Sequence, residues 1–151
     1  MDPDLIDLLR AFASTDVRFM VVGGYAVGVH GHVRATKDLD VWVEASPQNA
    51  PRVIRALQAF GAPLAGLTEA ELRAPGKGLM IGVPPRRIDV ITKIDGVTFE
   101  AAWPGHIEAR FSDVLAPVIG RVDLLANKRA SGRPQDLADV AALEQIGEPT
   151  P

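Results

Sequence analysis

The sequence predicts an α/β (α+β) fold in which helices flank short strands. Three observations predict it. Apolar or β-branched runs of strand length recur at Phe19 to Val22, Val41 to Val43, Leu79 to Val83 and Arg87 to Thr92. Stretches with helical periodicity lie before and between them. The composition, 47% hydrophobic and 23% charged over 151 residues, suits a globular chain with a substantial core.

The first helix follows from Asp2-Pro3, a cap and a proline for the first turn. Leu5, Leu8, Leu9 and Phe12 then recur on one helical face. The strand Phe19 to Val22 ends at Gly23-Gly24, and a short helix over Tyr25 to His30 follows. A basic loop with Arg34 and Lys37 leads to Asp38-Leu39-Asp40 at the head of the next strand. Ser46-Pro47 predicts another helix start, with Val53, Ile54, Leu57 and Phe60 as its apolar face and Gly61 as its stop. Residues 62–78 read as a loop, with a short helix at Thr68 to Leu72, lying beside a site or simply on the surface. Pro84-Pro85 predicts a turn between the strands at Leu79 to Val83 and Arg87 to Thr92. Phe99 to Trp103 is helix-like, and Ile107 to Phe111 with Val114 to Ile119 predicts a hairpin. Arg121 to Leu143 predicts two helices broken at Gly132-Arg133-Pro134.

The chemistry concentrates in a few residues. A helix that opens after a strand presents unpaired N–H groups, and glycines at the turn let a phosphate reach them. Two familiar phosphate loops are excluded: Val29-His30 stand where the Walker Lys-Ser/Thr would be, and Gly-x-Gly-x-x-Gly is absent. Asp38 and Asp40, two apart on a strand, project to one face, with Leu39, Val41 and Val43 on the other. Two adjacent anions call for a cation, either Mg²⁺ or a basic side chain such as Arg34 or Lys37. Asp89 lies inside a β-branched run, an unusual place for a carboxylate unless it serves a site or pairs with Arg86 or Arg87. Lys128 shares a helical face with Leu124 and Leu125, so it must snorkel, pair within the helices or meet an anion.

Two blocks carry a resemblance. Gly23-Gly24-Tyr25-Ala26, His30-Gly31 and Arg34-Ala35-Thr36-Lys37-Asp38-Leu39-Asp40 form the first. Asp123-Leu124-Leu125, Lys128-Arg129, Gly132-Arg133-Pro134 and Gln135-Asp136-Leu137-Ala138-Asp139 form the second. Together they resemble the polymerase-beta-type nucleotidyltransferase superfamily, most closely its small prokaryotic, AbiEii-like branch. Many members carry Ser where this chain has Gly24. The resemblance implies a minimal nucleotidyltransferase domain with a mixed twisted sheet of about five strands. It implies one domain over residues 1–151, with a core at 1–95 and a hairpin and helix pair at 98–146. It implies transfer of an NMP from an NTP to a hydroxyl of RNA or protein, in a toxin–antitoxin or phage-defence setting. The alternative is an inactive binding or regulatory module on the same fold. In the active reading Asp38, Asp40 and Asp89 hold Mg²⁺, with Mn²⁺ as a substitute, and act in catalysis. Gly23, Gly24, Arg34, Thr36, Lys128 and Asp136 hold the nucleotide.

Composition narrows the remaining classes. There are no cysteines, so neither disulfides nor thiol chemistry are expected. His30 and His32 are two apart, but without cysteine only His106 could complete a zinc set, so zinc is not expected. The near-apolar run Phe19 to Val29 is far shorter than the ~20 residues of a membrane span. The acidic start, Met1-Asp2-Pro3-Asp4, does not read as a signal peptide, so a cytoplasmic location away from membranes is expected. A net charge of −3 argues against duplex DNA as a partner. The family resemblance implies a cognate toxin or antitoxin protein, or a second copy of the chain, as protein partner.

Overall fold

Asp2 caps α1 (Pro3–Ser14) by accepting a hydrogen bond from the Asp4 amide at 2.9 Å. The computed structural model describes residues 1–83 and 86–147. The α1 stripe of Leu5, Leu8, Leu9 and Phe12 is fully buried, as its spacing requires. The chain then enters β1 (Phe19–Val22), whose four residues are all buried. It continues through α2 (Gly23–Val29), β2 (Asp38–Val43) and α3 (Ala50–Phe60). After a loop come β3 (Leu79–Ile81), β4 (Arg87–Ile91), α4 (Phe99–Ala102), and the hairpin β5 (Ile107–Phe111) and β6 (Val114–Val118). Helices α5 (Arg121–Ser131) and α6 (Pro134–Ile146) complete the described chain.

The strands form one mixed sheet in the order β3-β4-β2-β1-β6-β5. β1 runs antiparallel to β2 and parallel to β6, so it is paired on both sides. β2 and β4 are parallel, with Asp40 opposite Asp89. The sheet has six strands where about five are predicted, because both strands of the late hairpin join it. Alternation on β2 buries Leu39, Val41 and Val43 completely on the core side. Ile88 and Val90 of β4 are buried in step with them.

Several boundaries differ from the sequence reading. α3 begins at Ala50, not at Ser46-Pro47, and the proline of its first turn is Pro51. The reason is Asn49. Its buried side chain accepts from Arg18 N at 2.8 Å and donates to the carbonyls of Arg18 and Glu44 at 2.9 and 2.8 Å. Those bonds hold residues 46–49 as a turn against the strand ends, and the helix starts only beyond it. The short helix predicted at Thr68 to Leu72 is a 3₁₀ turn over Glu71–Arg73, with Thr68 Oγ1 accepting from the Glu71 amide. β3 stops at Ile81 rather than Val83. The turn predicted at Pro84-Pro85 lies outside the described residues. The break between α5 and α6 falls as predicted, with Gly132 in the left-handed region at φ 65°.

Candidate active site

The first wall of the site is the junction of β1 and α2. Gly23 has φ +69°, a conformation that side chains disfavour. A Cβ there would lie 2.2 Å from Asp40 Oδ2, so space as well as conformation demands glycine. A Cβ on Gly24 would lie 2.8 and 2.9 Å from Thr36 Cγ2 and Oγ1. Thr36 thus puts a hydroxyl beside the turn. That hydroxyl donates to the Arg34 carbonyl at 3.2 Å.

The acids form the floor. Asp38 and Asp40 project from one face of β2, and Asp89 stands opposite Asp40 on β4. Asp40 shares a hydrogen bond with Asp89, and its pKa is pushed up to about 7. Burial is the largest cause, followed by Asp89 through charge and hydrogen bonding and by the charge of Asp38; Lys128 opposes them. One oxygen of Asp38, Oδ1, is buried with no hydrogen-bond partner among the described residues. Arg87 Nε lies 3.1 Å from Asp89 and 4.0 Å from Asp38, an internal cation between two of the acids.

The second wall is the α5–α6 pair. Lys128 is 5% exposed, and its Nζ lies 3.3 Å from Asp136 and 3.0 Å from Asp139. Asp139, fully buried, also receives Arg34 in a two-pronged bond at 2.8 and 3.0 Å. Arg133 Nε donates to Asp136 at 2.7 Å. Burial raises the pKa of both aspartates, yet both end below the usual carboxylate range. Arg133 and Lys128 hold Asp136 ionised, and Arg34, Lys128 and Gln135 hold Asp139 ionised.

These walls enclose a cavity of about 670 Å³. Asp38, Asp40, Asp89, Gly23, Gly24, Arg34, Thr36, Lys128 and Asp136 all line it, although the last two lie far from the others in sequence. The structure adds Arg87 and Arg133 to the lining and Asp139 behind it. In the sequence, Arg87 reads equally well as an edge charge and Asp139 as a helix-face charge. Arg87 meets Asp89, one of the pairings its position two residues away on the strand offers, while nothing in the spacing of Asp139 tells which partners it meets. The loop 62–78 contributes no residue to this cavity.

Hard carboxylate oxygens in excess, one of them unpartnered, suit Mg²⁺ in kind. Among the described residues, no group of three or more His, Cys, Asp or Glu side chains is arranged to hold a metal ion. The Arg87 guanidinium stands between Asp38 and Asp89. Asp38, Asp40 and Asp89 supply the kind of donor a divalent cation takes.

No protein-family model matches the sequence, and no curated protein matches it. Solved structures do match. The lincosamide antibiotic adenylyltransferase LnuA, bound to lincomycin, aligns over 97% of this chain and 98% of its own, with TM-score 0.62 and 16% identity. TM1012 of Thermotoga maritima, a "putative nucleotidyltransferase", aligns over 97% of this chain and 92% of its own, with TM-score 0.55 and 11% identity. At such identities the likeness establishes architecture: this chain has the nucleotidyltransferase-like fold.

Proposed function

We propose that the protein is a nucleotidyltransferase that moves an NMP from a Mg²⁺-bound NTP to a hydroxyl acceptor. One observation carries the reading: three carboxylates on adjacent strands face a glycine turn and two buried-side cations across a single cavity. The amides at Gly23 and Gly24, the Thr36 hydroxyl, Arg34 and Lys128 bind the triphosphate oxygens. Asp136 orients Lys128 through their contact at 3.3 Å. Asp38 and Asp40, with Asp89, would hold Mg²⁺ or Mn²⁺, which when bound supplies positive charge to the phosphates. Asp89 takes the proton of the acceptor hydroxyl. The acceptor oxygen bonds to the α-phosphorus as the bond to pyrophosphate breaks. The superfamily resemblance points to RNA or protein as acceptor, in a toxin–antitoxin or phage-defence role with a cognate partner.

Arg87 favours a second reading. A guanidinium that neutralises Asp38 and Asp89 permanently would leave a non-catalytic binding or regulatory module. Calorimetric titration with Mg²⁺–NTP, beside incubation with radiolabelled NTPs, total RNA and total protein, separates the two. The enzyme reading expects Asp89→Asn to bind Mg²⁺–NTP but to lose transfer by at least ~10²-fold, the low end for one acid–base group. Absence of both NTP binding and label transfer in the wild type would establish the module instead.

A further inference from the structure

A second cavity, of about 920 Å³, lies beside the first. Lys93 and Ile94 line both. Its position follows from strand alternation. Asp38, Asp40 and Trp42 share one face of β2, and Asp89 and Ile91 share the matching face of β4. The acids' face therefore runs on to Trp42, about 7 Å beyond Asp40 at two residues' rise. Trp42 lines the second cavity and is 1% exposed, with Phe99 packed edge-to-face on it at 5.1 Å. Val97 and Ile94 add apolar wall.

The indole Nε1 of Trp42 is buried without a hydrogen-bond partner among the described residues. A buried donor left unpaired costs free energy, and tryptophan normally finds a partner when buried. An oxygen of a molecule seated against Trp42 would supply one.

The charged lining side chains are Glu44, Glu100 and Lys93. Glu44 is balanced by Arg18 at 3.2 Å. An RNA strand needs rows of Lys and Arg for its phosphates, and this cavity offers one lysine against two glutamates. A volume near 900 Å³ with an aromatic floor suits a small molecule.

We propose that this second cavity is the acceptor site, and that the acceptor is a small ring-bearing alcohol, uncharged or cationic, rather than an RNA end or a protein side chain. The inference rests on the nucleotidyl-transfer reading and departs from the RNA or protein acceptor implied by the superfamily resemblance. The ring lies against Phe99, Ile94 and Val97, next to the buried Trp42. Its hydroxyl reaches along β2 to Asp89, which accepts the proton while the oxygen bonds to the α-phosphorus and pyrophosphate leaves.

The sequence contains two tryptophans, so isotope-labelled protein shows two indole N–H resonances, and Trp42→Phe identifies that of Trp42. Three probes are titrated: 2-amino-1-phenylethanol, cyclohexylmethanol and oligoadenylate. Each is run with and without the Mg²⁺ complex of α,β-methylene-ATP. The expected result is a saturable shift of the Trp42 indole with either alcohol, retained in the presence of nucleotide. Ala45→Phe and Val97→Phe, which fill the cavity, should each abolish that shift and leave nucleotide binding intact. An indole unmoved by both alcohols, a shift with oligoadenylate instead, or a shift that survives both filling variants overturns the proposal. Failure of the nucleotide to bind while the alcohols still shift the indole would overturn the transfer reading instead.

Discussion

Asp139 organises more of the site than any residue the sequence singles out. It is fully buried and meets Arg34, 105 residues away, as well as Lys128. Removing one partner of a buried ion pair leaves the other charges uncompensated. Asp139→Asn is expected to lose roughly 3 kcal/mol or more of stability, measured by urea unfolding at neutral pH. The pKa of Asp139 is lowered on folding, so its contribution is complete above the ordinary carboxylate value of 3.8 and fades as pH falls through the folded value. The gap between mutant and wild type should therefore close in strong acid. Asp40 behaves in the opposite sense. Its pKa rises from 3.8 to about 7, chiefly through burial, so ionising it in the folded state costs stability progressively across that interval. Without divalent ions, Asp40→Asn should melt above wild type at pH 8, with a much smaller difference at pH 4. A mutant that melts below wild type at pH 8 would make Asp40 a structural ion-pair residue. The acids and the glycine turn were legible in the sequence because strand alternation fixes their direction. Asp139 was not, because ion pairing across the fold leaves no local pattern; Arg87 was legible as a same-strand partner of Asp89, but its approach to Asp38 on β2 was not.

At the scale of elements, the parallel pairing of β2 and β4 aligns Asp40 with Asp89, and the α5–α6 break aligns Lys128 with Asp136. Gly132 makes that break in the left-handed conformation. Gly132→Ala is expected to cost about 1 kcal/mol, read as a lowered urea midpoint, and to weaken NTP binding by shifting the α6 aspartates away from Lys128. NTP affinity equal to wild type would show that the joint's conformation does not set the position of Lys128. Periodicity and glycine–proline punctuation made the helix pair and the hairpin readable. The start of α3 was misread, because Ser46-Pro47 has the local chemistry of a cap while Asn49 is committed to backbone groups of Arg18 and Glu44. Local signals lose to tertiary hydrogen bonds at such boundaries.

Across the whole molecule, β1 sits between β2, which carries Asp38 and Asp40, and β6, which belongs to the late hairpin. The sequence division into residues 1–95 and 98–146 is thus sewn together at the middle of the sheet. Among the described residues, no helix is long and apolar enough to cross a membrane. The Arg34–Asp139–Lys128 cluster makes a second stitch, from the loop after α2 to both helices of the C-terminal pair. Its consequence concerns fluctuation rather than contact. Opening of the loop takes Arg34 from the buried Asp139, and opening of α6 takes Asp139 from Arg34 and Lys128, so each opening breaks the same ion cluster. The loop and the helix pair should therefore form a single cooperative opening unit. Hydrogen exchange of the Arg34 Nε–H, which donates to Asp139, and of the α6 amides is expected to show the same opening free energy in the wild type. In Asp139→Asn both segments should exchange faster together, while the β5 amides paired to β6 stay protected. Acceleration confined to α6 would mean that the loop is held by other contacts.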